Sequence, residues 1–163
     1  NAAAIDGEWG VHGRGPGGGE GTVMSEQSDP TRDQFNAFKD LPGDTPSLML
    51  NLIRYREVAD YGDGSGDVSG AEAYRRYGKE SGPIFARVGG SIVWRGRPEI
   101  VLTGPSDEIW DAAFIARYPH AGAFFEMVTD ADYQVAVKHR TAAVATSRLI
   151  RMAEIDGDNA TFA

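Results

Sequence analysis

The chain has 163 residues with 41% hydrophobic, 25% charged and 10% aromatic content, which suits one domain with a proper core. Lys and Arg total 16 against 24 Asp and Glu, and a net charge of −8 disfavours general nucleic-acid binding, which needs clustered cations. The absence of cysteine excludes disulfides, Cys-ligated zinc, iron–sulfur clusters and thiol catalysis, and no apolar run reaches the roughly 18 residues of a membrane helix.

Eight of the 21 glycines fall in the first 21 residues. Residues 1–23 carry no apolar period and read as a glycine-rich leader or extension. A single domain is expected over residues 24–163, opening at Met24. Gly13, Gly15 and Gly18 match GxGxxG, but no strand precedes them, Pro16 interrupts them and no helix follows, so the spacing implies no phosphate site.

Phe35, Phe38 and Leu41 recur at helical spacing before the Pro42-Gly43 stop. Ser47–Glu57 alternates as a strand, with Leu48, Leu50 and Leu52 on one face and Met49, Asn51, Ile53 and Tyr55 on the other. After a Gly/Asp loop, Ser69 and Glu72 form a capping-box pattern for a helix from Gly70 to about Val88, closed by Gly89-Gly90. Ser91–Arg95 and Glu99–Thr103 read as strands around a Gly96-Arg97-Pro98 turn, and Trp110–Tyr118 as another. Helical sequence follows Pro119 over about 121–147, with a break expected near Thr129, and Arg148–Ile155 is a last strand.

Strand–helix–strand–strand–helix–strand is the split βαβ, ferredoxin-like order, an α+β fold with an antiparallel sheet. Its helices cover one sheet face. Met49, Ile53 and Tyr55 are expected on the other, where a second copy of the chain is the simplest cover, giving a homodimer.

The segments MLNLIRYRE at 49–57 and GGSIVWRGR at 89–97 resemble the DUF1330 family, as do Tyr118-Pro119, Phe125–Met127, Tyr133, His139-Arg140 and Ser147–Leu149 in that order. The resemblance covers roughly residues 33–152 and implies a dimeric α/β barrel of ferredoxin-like topology, with no established reaction. In the family a small hydroxyl residue usually follows Tyr-Pro; here it is His120, to which no role is carried over.

Asn51 is a polar amide on an otherwise apolar strand face, suited either to a ligand or to structural hydrogen bonds. Arg140 lies on or beside the stripe Tyr133, Ala136, Val137, Ala143 and Val144, where a guanidinium needs a carboxylate, carbonyls or an anionic ligand. His139 points about 100° away around the helix and is the candidate proton carrier. Tyr77, Tyr118 and Trp94 are candidate substrate-binding aromatics, with Tyr74 and Trp110 as further rings. Arg95 and Arg97 fit either an anion site or a charged hairpin tip.

Asp63, Ser65 and Asp67 start a calcium-like loop, but Val68 and Tyr74 stand where the glycine and glutamate are required. No GxSxG, HExxH or Walker loop occurs, and the three histidines are scattered, so neither a metal nor another cofactor is expected. The reading is a small-molecule-binding homodimer, or a cofactor-free enzyme, acting on a small oxygenated or aromatic organic acid. Arg140 would anchor an anion and Asn51 would orient a carbonyl or hydroxyl. The alternatives are a non-catalytic accessory or stress protein and haem chemistry, for which His139 is the candidate axial ligand. No nucleic-acid or membrane partner is expected, and a cytoplasmic location is the default.

Overall fold

A computed structural model describes residues 28–64, 67–155 and 157. The leader segment 1–23, its GxGxxG-like glycines and Ser65 lie outside the described residues.

Helix α1 (Arg32–Lys39) opens on a complete capping box between Thr31 and Gln34. Strand β1 spans Ser47–Tyr55, and α2 spans Gly70–Arg87. The Ser69 hydroxyl caps α2 by accepting from the Glu72 amide at 3.2 Å, while the Glu72 carboxylate pairs with Arg75 and Arg76. Gly70 is required where α2 starts. A Cβ there would overlap the backbone of Arg56 and the carbonyl of Ala143.

Strand β2 covers Ser91–Gly96 and β3 covers Ala112–Tyr118. The strand expected over Glu99–Thr103 does not form. Pro98 and Pro105 bracket the stretch and supply no amide hydrogens, and Ile100 and Leu102 are 78% and 88% exposed with no strand to pair with among the described residues. Helix α3 (Ala121–Thr129) is capped by His120, whose Nδ1 accepts from the Ala123 amide at 3.1 Å. The unusual residue after Tyr118-Pro119 thus does the work of a hydroxyl cap.

The break between α3 and α4 (Ala131–Ala143) falls at Asp130, whose carboxylate accepts from the Asp132 and Tyr133 amides. Helix α4 passes into β4 (Val144–Met152) without a loop, so the last strand starts earlier than Arg148. Fully buried Val144 and the β-branched Thr146 favour the extended form there.

The sheet is antiparallel in the order β2-β3-β1-β4, the ferredoxin-like arrangement expected. The register assigns its faces. Met49 pairs with Ala116 and Arg151, Asn51 with Phe114 and Leu149, and Ile53 with Ala112 and Ser147. This face meets the helices: Met49 packs with Ile84, Met127 and Tyr133, and Ile53 packs with Ala73 and Ala143. The expectation that Met49, Ile53 and Tyr55 lie on the uncovered face is therefore corrected.

The face away from the helices carries Leu48, Leu50 and Leu52 instead. One row across it reads Ile150, Leu50, Ile115, Trp94. Among the described residues no helix is long and apolar enough to cross a membrane.

Candidate functional site

A cavity of about 800 Å³ lies between the helix-facing side of the sheet and the helices. Helical spacing builds its roof. Tyr74, Tyr77, Ser81 and Phe85 project from one face of α2, and Tyr133, Val137 and Arg140 from one face of α4. Asn51, Phe114 and Leu149 form a floor across three strands. Phe35 and Phe38 of α1 wall one side, with the Phe38 ring 5.3 Å from that of Phe124.

The charge of the lining is opposite to that of the chain. Arg95, Arg140, Arg148 and Arg151 border the cavity, and Asp29 is the single carboxylate among the described lining residues. Arg140 Nη2 donates to the Ser147 hydroxyl at 3.2 Å, and its Nη1 donates to the Ser28 carbonyl at 3.1 Å and lies 3.6 Å from Asp29. Its side chain is 15% exposed, so the charge is largely withdrawn from water, and Asp29 is the one carboxylate that pairs with it among the described residues. Arg148 turns to the other sheet face, where its guanidinium lies 5.4 Å over Trp110.

Asn51 Nδ2 donates to the Met49 carbonyl at 3.0 Å, and its Oδ1 has no hydrogen-bond partner among the described residues. Tyr77 and Tyr133 share a hydroxyl–hydroxyl contact of 3.1 Å. Burial above all, reinforced by Tyr77, raises the pKa of Tyr133 well above the ordinary 10.0. Burial likewise raises Tyr74 and Tyr118, again with help from Tyr77. These phenols remain neutral hydrogen-bond donors at physiological pH. Tyr118 spends its hydroxyl on the Met127 sulfur at 3.6 Å, so it serves as wall.

Asn51, Tyr77, Tyr118 and Arg140 thus converge on one cavity, but two candidates do not. Trp94 pairs with Ile115 on the opposite sheet face and is 53% exposed there. His139 does not line the cavity. Its Nδ1 lies 2.6 Å from the Tyr61 hydroxyl and its Nε2 lies 3.3 Å from Glu80, so it braces the loop and α2 against α4. A proton-carrying or axial role for His139 in this cavity is corrected on that geometry.

Arg151, Tyr133, Ser147 and Phe114 also line the cavity although sequence reasoning did not propose them as binders. The alternation of Ser147, Leu149 and Arg151 was the available signal. Among the described residues no group of three or more His, Cys, Asp or Glu could hold a metal ion.

The model of a domain of unknown function, DUF1330, matches residues 64–153. A protein of unknown function from Rhodopseudomonas palustris, solved as a structural-genomics target, is 48% identical over 82% of this chain and 100% of that one, with a TM-score of 0.77. The methylated RPA0582 protein is 49% identical over 82% of this chain and 98% of that one, with a TM-score of 0.78. A dimeric protein of unknown function and ferredoxin-like fold from Bacteroides fragilis is 13% identical over 66% of this chain and 94% of that one, with a TM-score of 0.42. No curated protein matches the chain.

Proposed function

We propose that this chain, which belongs to the DUF1330 family, is a homodimeric small-molecule-binding protein whose cavity takes a small oxygenated or aromatic organic acid. One observation carries the reading. A chain of net charge −8 turns three arginines, Arg95, Arg140 and Arg151, and one aspartate towards its cavity. Clustering of cations around an aromatic hollow favours a small anion with an apolar body.

Arg140 anchors the acid, with Ser147 fixing its fork, and Asn51 offers its free carbonyl oxygen to a hydroxyl of the ligand. The hydroxyls of Tyr77 and Tyr133 complete the polar set. They can donate to or accept from an oxygen of the ligand. The alternative of a non-catalytic accessory protein fits a site filled by its own side chains, which a hollow of about 800 Å³ disfavours.

The homodimer rests on the apolar row Ile150, Leu50, Ile115 and Trp94, with Ile150 47% and Trp94 53% exposed in the single chain. A metabolite screen by thermal shift, on the folded wild type and the folded Arg140→Ala and Asn51→Ala variants, tests the site. Organic acids should stabilise the wild type and lose that effect in both variants. Equal stabilisation of all three proteins contradicts the assignment.

A further inference from the structure

The cavity has a second cationic end that the anchoring role of Arg140 leaves unexplained. Arg151 Nη2 donates to the Pro42 carbonyl and its guanidinium lies 5.1 Å over the Phe38 ring. Its Nη1 is buried with no hydrogen-bond partner among the described residues, and no carboxylate there pairs with it. The lining's one carboxylate, Asp29, already faces Arg140. The guanidinium borders the cavity with no described carboxylate to balance its charge, and an acidic group is the partner that best balances it.

The strand register sets where the two arginines stand. Ser147, Leu149 and Arg151 occupy successive positions on the cavity side of β4, opposite Ile53, Asn51 and Met49. Arg140 is tied to Ser147, so Asn51 and Leu149 fall between the two guanidinium groups. Four residues of strand separate their attachment points by about 13 Å. A ligand with an acidic group at each end of a short chain matches a separation of that order. The span is apolar underneath, since Leu149 faces the cavity and is still 45% exposed.

We infer that the ligand of this cavity is a dicarboxylic acid. One carboxylate is held by Arg140 with Ser147 and the other by Arg151. Its short chain lies on Leu149, within reach of Asn51. This inference rests on the organic-acid reading above and adds the second acidic group.

Isothermal titration of the full chain with adipate and with hexanoate, which have equal carbon counts, tests it. Adipate should bind wild type about tenfold tighter or more, the gain expected from one charged hydrogen-bonded pair. Arg151→Gln should bring the two affinities together. Equal affinities in the wild type, or an adipate preference that survives Arg151→Gln, overturns the inference. Should that variant not fold, a wild-type series from succinate to suberate decides. An affinity peak at one chain length supports two fixed anchors, and a flat series contradicts them. Binding of hexanoate that depends on Arg140 but shows no preference for adipate refutes only the second acid group. Failure of both acids to bind refutes the organic-acid reading with it.

Discussion

Arg140 of α4 donates to the hydroxyl of Ser147 on β4 across 3.2 Å, joining the helix and the strand that follows it directly. The bond fixes the guanidinium at the wall of the cavity and turns a long, mobile side chain into an oriented cation. Arg140→Lys keeps the charge but loses the fork. Affinity for a small carboxylate such as benzoate should fall about tenfold in this variant, and further in Arg140→Ala. Titration calorimetry on variants with unchanged circular dichroism measures both.

The uncovered sheet face predicts assembly. Leu50 lies in mid-sheet between Ile115 and Ile150. Leu50→Asp would place a charge at the centre of the proposed interface and should give monomers by light scattering without loss of secondary structure. A variant that keeps the wild-type mass in solution would remove this face as the interface.

His139 should matter to stability and not to ligand binding. It bridges Tyr61 and Glu80, so His139→Ala should lower stability by about 1 kcal/mol in chemical denaturation, the worth of an ordinary hydrogen bond. Benzoate affinity should stay within about twofold, because His139 is not among the cavity-lining residues. A larger loss of affinity would return His139 to the site.

Much of this arrangement was legible in the sequence, for identifiable reasons. Ser69 and the glycines after Val88 marked α2, and Pro119 marked the turn into α3. The face of β1 was not legible. Leu48, Leu50 and Leu52 are as apolar as Met49 and Ile53, so alternation separates two faces without saying which one receives the helices. Ile100, Val101 and Leu102 have strand-like chemistry but no partner strand among the described residues, and pairing is a tertiary property. Asn51 and Arg140 stood out as polar residues on apolar stripes. Arg151 did not, because a single arginine on a strand reads as solvent-facing until the register puts it beside Asn51 and Leu149.

Alkaline pH should unfold the protein cooperatively. Burial above all, with Tyr77 next, raises Tyr74, Tyr118 and Tyr133 above the ordinary 10.0 in the folded chain. Below that value all three are protonated in both states, and their contribution to stability is fully present. Above it the unfolded chain loses these protons first, so stability falls as pH rises towards the folded values. Tyrosinate absorbance should therefore rise together with loss of helix signal. Ionisation of these three with the midpoint of free tyrosine and the fold intact would contradict the burial of these rings.

The central claim is that the cavity floored by Asn51 and bordered by Arg140 takes a small organic acid. Calorimetric titration of the full chain with benzoate tests it most directly, set beside folded Arg140→Ala and Asn51→Ala. Saturable binding of one benzoate per chain, lost in Arg140→Ala and weakened in Asn51→Ala, is the predicted result. No saturable binding to the wild type, or the same affinity in all three proteins, would contradict it.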